Sequence, residues 1–322
     1  MRGPIYSGSM TLRIDVHHHF YAPDVNAMLD ARGELPAVSK AWSVENSLAD
    51  MDRSNVDKAL LSATPDADLT AALARATNEY AAALVQLHPG RFGFFAALPI
   101  PDIDACLKEI AHALDVLSAQ GIGLFTSYGT AYLGDAALDP VFAELDRRRA
   151  VVYTHPTLNA CCADIVPGIP PTAIEFGTDT TRAIASLVFS GTTVKYPHIR
   201  FIFSHGGGTM PFLIGRFVNL AKQPRMAARL PNGLMPELQR FYYETAQVAN
   251  RGAMASLREL VPASQVLFGT DFPYRGAEEQ LAGLRQSGFS PEELAAIEGP
   301  NLARLLENAG GLGCGGPSTS SG

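Results

Sequence analysis

Three consecutive histidines, His17, His18 and His19, stand directly after the apolar run TLRIDV (11–16). Side chains alternate across an extended chain, so His17 and His19 share a face while His18 points the other way. Two imidazoles at that spacing can reach one ion, although the pattern alone is common. The company it keeps sharpens it. His155 closes VVYTHP, His205 closes RFIFSHG, and Asp271 falls in QVLFGTDFP. Five metal-competent side chains therefore sit at the ends of apolar, β-rich runs. Buried together, histidine and aspartate need a partner that offsets their desolvation, and a divalent cation is such a partner. Three histidines and an aspartate with a position left open suit Zn²⁺, with Mn²⁺ as the alternative. No lysine occurs over 121–135 to bridge a second ion, so one ion per subunit is expected. His18, His88, His112 and His198 read as structural, and the vicinal pair Cys161–Cys162 as unligated.

Such residues converge only if the runs that carry them lie side by side. Eight β-rich runs are legible: 11–16, 56–64, 91–98, 121–128, 151–156, 200–206, 241–247 and 265–273. Several are continuously apolar, as strands buried on both faces of a parallel sheet are. Segments of helical spacing separate them, for example DACLKEIAHALDVLSAQ (104–120), and a closing helix is expected over about 290–308. Eight strands with helical crossovers predict an α/β fold, a (β/α)8 TIM barrel, whose chemistry sits at the strands' C-terminal ends. No GxGxxG follows a strand, which disfavours an open doubly wound sheet. Long loops are expected after strands 1 (20–47) and 5 (157–180), as walls of a pocket. Residues 1–10 read as a disordered leader, 11–308 as the barrel, and 309–322 as a disordered Gly/Ser-rich tail that carries Cys314.

Composition narrows the partners. Lys+Arg 25 against Asp+Glu 32 gives a net charge of −7 with no basic run, so nucleic acid and anionic membrane are poor partners. No stretch approaches the ~20 apolar residues of a bilayer span, and the leader lacks the core of a signal peptide. Four cysteines without a CxxC spacing fit free thiols, and a cytoplasmic location is expected.

IDVHHHF, VVYTHP, FIFSHGGGTMPFLIGR and LFGTDFP, in that order, resemble the amidohydrolase-related superfamily. More narrowly, they resemble its aminocarboxymuconate-semialdehyde decarboxylase-like branch, over about residues 11–308. The resemblance implies that His17, His19, His155 and Asp271 are metal ligands. It implies that His205 activates or orients the metal-bound water or the substrate. Arg216 matches an arginine that lies near a dimer interface and reaches the partner's site, which implies a homodimer. The segment EFGTDTTRAIASLVFSGT (175–192) is similar to 6-methylsalicylate decarboxylase-type members. Muconate-type members carry an arginine shortly before the MD dipeptide and a tryptophan after His-Pro. Here Ser47 and Thr157 stand at those places, which argues against that substrate. Relatives with a glutamate as first ligand differ too, since His17 holds that place.

The expected activity is non-oxidative decarboxylation of a small aromatic carboxylic acid with an ortho hydroxyl, such as 6-methylsalicylate. Asp271 or His205 would deliver the proton to the ring. Hydrolysis of a lactone or related ester, or hydration of a double bond, is the alternative. A metal-binding barrel without catalysis fits less well, because an open coordination position is not a structural site. Arg216, Tyr21, Phe189 and Phe272 are the expected substrate contacts, with Phe20 and Tyr274 as further aromatic candidates.

Overall fold

The computed structural model describes residues 12–64, 69–159, 162 and 165–309. The expected leader, Cys161, Cys314 and the tail beyond Ala309 lie outside the described residues.

Eight parallel strands form one sheet in sequence order. They are β1 (Ile14–Phe20), β2 (Lys58–Ala63), β3 (Phe92–Ala97), β4 (Gly121–Phe125), β5 (Val151–His155), β6 (Arg200–Phe203), β7 (Tyr242–Glu244) and β8 (Val266–Leu267). The two edges meet through the segment that follows β8. The Val16 amide donates to the Phe268 carbonyl at 3.0 Å, His19 to Phe272 at 2.8 Å, and Asp271 to the His17 carbonyl at 2.9 Å. That closes a (β/α)8 barrel and ties the histidine strand to the Asp271 loop.

Two apolar layers hold it. Inside, Ile14, Val16, Leu60, Phe95, Val151, Tyr153, Ile202 and Leu267 pack together, and Leu302 and Leu305 of the helix Pro300–Ala309 join them. Outside, β-strand residues such as Phe94, Phe201 and Phe203 pack against the helices. Each such side chain, fully buried, contributes roughly 1.5–3 kcal/mol. The inner layer is a packed floor. The void between Phe95, Gly123, Tyr153 and His155 measures about 10 Å³, room for little more than one water.

Four local features depart from the expected pattern. The histidines do not follow β1 but lie within it, because the strand runs on to Phe20. The pairing with β2 slips between Asp15 and His18, where three steps on β1 match two on β2. This bulge shifts the alternation, so Val16 faces the inner core while His17 and His19 still converge with the other strand ends. The connection after β1 is largely helical (Pro23–Ala31, Ala37–Ala41, and Val44 onward) rather than an open loop. The one after β5 is shorter than expected, since the helix Thr172–Ser190 begins inside it. Its threonines satisfy their hydroxyls locally: Thr178, Thr180 and Thr181 donate to carbonyls four residues back. Among the described residues, no helix is long and apolar enough to cross a membrane.

Candidate metal centre

At the C-terminal end of the barrel the five expected residues meet. One ligand atom each from His17, His155, His205 and Asp271 lie within 4.8 Å of one another, all buried. His19 completes the group, its Nε2 lying 3.0 Å from His17 Nε2 and 3.0 Å from Asp271 Oδ1. His17 Nε2 is 3.1 Å from the same oxygen. The two contacts to Asp271 Oδ1 lack hydrogen-bond geometry, and that oxygen is left buried without a hydrogen-bond partner.

The second nitrogens explain the orientation. Nδ1 of His17 meets Glu244 Oε1 at 3.0 Å, Nδ1 of His19 the Ser62 carbonyl at 3.3 Å, and Nδ1 of His155 the Pro156 carbonyl at 2.8 Å. An acceptor at Nδ1 fixes the tautomer that turns the Nε2 lone pair inward. His205 differs. Its Nδ1 has no partner, and its Nε2 lies 3.4 Å from Asp271 Oδ2.

Electrostatics point the same way. Burial pushes the His17 imidazole down, yet the Asp271 and Glu244 carboxylates outweigh it and raise His17 to about 10. Burial lowers His19, and it drives His155 well below the ordinary histidine range with help from His19 and His17. For Asp271, burial favours the neutral acid, but His17 and the adjoining imidazoles of His19 and His205 prevail and hold it well below the carboxylate range. With no cation, the cluster keeps one proton on His17 beside an ionised Asp271. Converging Nε2 atoms and a bare carboxylate oxygen fit a divalent ion in that proton's place.

A second tier of buried polar groups braces the centre. Asp15 Oδ1 accepts from the His17 and Thr270 amides, both at 3.0 Å, and Oδ2 accepts from Thr270 Oγ1 at 2.6 Å and His18 Nδ1 at 2.9 Å. One carboxylate thus clamps both segments that carry the site. His18 points outward, as expected, where its Nε2 meets Ser47 Oγ at 3.1 Å. Ser47 therefore lies behind the centre rather than over it. Thr157, the other departure from the muconate-type pattern, shares a 2.8 Å hydrogen bond with Ser127. Glu244 receives the His17 ring and also the His205 amide, at 2.6 Å. It was not singled out from the sequence, although it ends an apolar strand just as His155 does.

The structure places the further aromatic candidate Tyr274 beside the centre and Tyr21 against Tyr274. Tyr21 donates to the Tyr274 hydroxyl at 3.2 Å, and the Tyr274 ring sits 5.9 Å from His19. Phe272 is a correction: it stacks on His18 at 4.6 Å, because the left-handed backbone at Asp271 (φ 67°) aims that residue inward and its neighbour outward. Phe189 is another. It packs on Phe217, thirteen residues and about 20 Å of helix beyond Phe176, which itself touches His155 at 5.8 Å. Phe20 likewise faces the helix layer, stacked on Tyr80. Arg216 is exposed on the helix Ile214–Ala221, and its guanidinium meets no acceptor among the described residues. Beside His205 opens a cavity of about 240 Å³, walled by Pro211, Phe212 and Val248.

Residues 14–307 match the family model described as Amidohydrolase. The chain belongs to the amidohydrolase family. Within it, the chain is 39% identical over 274 residues to the 6-methylsalicylic acid decarboxylase of Penicillium expansum, covering 81% of this chain and 85% of the relative. Its fold is similar to that of a 2,6-dihydroxybenzoate decarboxylase solved with 2,6-dihydroxybenzoate (TM-score 0.82, 21% identity, 92% and 100% of the two chains). It is also similar to a dihydroxybenzoic acid decarboxylase from Polaromonas sp. JS666 with bound manganese and 2-nitroresorcinol (TM-score 0.79, 21% identity, 92% and 97%). The family barrel thus agrees with the one assembled above from strand order and closure.

Proposed function

We propose that this chain is a carboxy-lyase, a metal-dependent non-oxidative decarboxylase of a salicylate-like aromatic acid such as 6-methylsalicylate. The observation that carries the reading is the convergence of the His17 and His19 Nε2 atoms on the bare Oδ1 of Asp271, with a ring nitrogen of His155 within 4.8 Å of the His17 and Asp271 ligand atoms. Similarity to the Penicillium enzyme supports the substrate class.

In this reading His17, His19, His155 and Asp271 Oδ1 hold one divalent ion, Zn²⁺ first and Mn²⁺ second. His205 stays outside the ligand set, because nothing at its Nδ1 fixes it as a ligand. Bound there, the ion supplies a Lewis acid for the adjacent carboxylate and phenolic oxygens of the substrate. Phe176 and Tyr274, which already touch His155 and His19, form aromatic walls for the ring, and Tyr21 braces Tyr274. The His205–Asp271 pair carries the proton to the ring carbon that bears the carboxylate. That carbon's bond to the carboxylate then breaks, its electron pair restores the aromatic ring, and CO₂ departs.

Arg216 belongs to the same reading as a residue of a homodimer, offered to the neighbouring subunit's pocket. Its lack of a partner among the described residues supports this, as does Phe212, 84% exposed four residues earlier. A cytoplasmic setting accords with Cys106 as a free thiol. The deciding experiment incubates metal-loaded protein with a panel of ortho-hydroxybenzoates and measures CO₂. Turnover of 6-methylsalicylate is expected; an inert panel beside rapid lactone hydrolysis overturns the reading.

A further inference from the structure

Six non-glycine residues adopt left-handed backbone among the described residues. Asn55, Ser118 and Arg149 each lie one or two residues beyond a helix, where such geometry is ordinary. The other three, His205 (φ 52°), Gln247 (φ 58°) and Asp271 (φ 67°), come from the loops after three successive strands and meet at one atom, Asp271 Oδ2. Left-handed backbone is unfavourable for a residue with a side chain, and it persists where the surroundings enforce it, above all at functional sites. His205 and Asp271 already have roles. Gln247 has none.

Its side-chain amide donates to Oδ2 in a very close contact. Its backbone is pinned in turn, since the Gln247 amide donates to the buried Gln280 side chain at 2.9 Å. Gln247 itself is exposed at the barrel mouth, whereas Asp271 is 4% exposed. It therefore stands between Oδ2 and solvent. A carboxylate can rotate and offer either oxygen, or both, to an ion. With Oδ2 taken by an amide donor, Oδ1 alone is left facing His17 and His19, which is the oxygen found without a donor.

We infer that Gln247 is a positioning residue of the metal centre, holding Asp271 so that it binds the ion through Oδ1 alone. The inference rests on the reading of Asp271 as a ligand, and its test separates the two. Gln247→Met keeps the length and removes the donor; Gln247→Ala removes the side chain. For each, and for the wild type, the dissociation constants for Zn²⁺ and Mn²⁺ are measured by competition with a chromophoric chelator, and the melting temperature is measured on the apoprotein. Partners that orient a metal ligand typically change affinity by about 10–100-fold. Both variants should weaken binding at least about tenfold while the apoprotein melts as the wild type does, because an exposed glutamine contributes little to the metal-free fold. Binding within twofold of a wild type that takes one ion overturns the role of Gln247 and spares the centre. A wild type that takes no ion overturns both.

Discussion

Glu244 Oε1 lies 3.0 Å from His17 Nδ1, on the side of the ring away from the cluster of Nε2 atoms. The same oxygen accepts the His205 amide at 2.6 Å, so one carboxylate sets the proposed ligand His17 and the neighbouring strand end together. Glu244→Gln keeps the shape and removes the charge that makes His17 a stronger donor to an ion. Metal affinity should fall about 10–100-fold, with the far-ultraviolet circular dichroism unchanged. An affinity equal to the wild type's would deny Glu244 this role.

The proton stored on His17 gives the metal a pH dependence. Burial alone would lower this group, but Asp271 and Glu244 raise it from the usual 6.5 to about 10. The imidazole of the apoprotein is therefore charged at pH 8, while a ligand imidazole must be neutral. Uptake of an ion must expel the proton, so affinity climbs as pH rises, by about tenfold per unit, until His17 is neutral near pH 10. Calorimetry at pH 8 in buffers of different ionisation enthalpy should return about one proton released per ion. Proton-neutral uptake would contradict the assignment.

Much of this was legible in the sequence, and the misses share a cause. Strand order, the HxH pair, His155, His205 and Asp271 declare themselves through apolar runs that end on metal-competent residues. Which way a side chain points near a bulge or in a left-handed turn does not. Phe272 looked like a pocket wall because it adjoins Asp271, yet the turn at Asp271 sends it to His18. Gln247 carries no charge, and Phe176 hides in a helix whose threonines broke its apolar pattern. Glu244 alone left a usable trace, an acid at the end of FYYE.

His18 and Asp15 should separate structure from metal binding. His18 faces away from the centre, with Asp15 at one ring nitrogen and Ser47 at the other. His18→Ala removes both bonds and the stack on Phe272, a loss of about 1–3 kcal/mol per buried group left unpaired. The melting temperature should drop while the metal content per chain stays at one. Asp15→Asn should lower both, because it loosens the clamp between the His17 and Thr270 amides. Elemental analysis beside thermal denaturation reads the difference.

The proposed homodimer, with Arg216 offered to the partner's pocket, makes a complementation prediction. A subunit bearing Arg216→Ala and one bearing His205→Ala should each be nearly inactive as homodimers. In the hybrid, one pocket combines an intact His205 with the partner's intact arginine. Differently tagged subunits, purified as heterodimers, should recover decarboxylation. No recovery in verified hybrids would confine Arg216 to its own surface.

The source of the ring proton offers the sharpest test of the chemistry. Replacing a carboxylate by hydrogen takes a proton that originates in solvent, whichever of His205 and Asp271 hands it over. Turnover in D₂O should therefore place one deuterium at the carbon that lost CO₂, in equal amount with the CO₂ released, as mass spectrometry and proton resonance can read. Hydrolysis would instead leave the carbon count unchanged and add solvent oxygen. His205→Ala should slow the reaction by about 10²–10⁴-fold, the range for loss of a general acid, and still hold its ion. Asp271→Asn should be the more damaging, since it weakens a ligand and removes the other half of the proton-carrying pair at once. If His205→Ala loses the ion as readily as Asp271→Asn does, His205 is itself a ligand, and the missing partner at its Nδ1 is a consequence of that role rather than a sign of proton transfer.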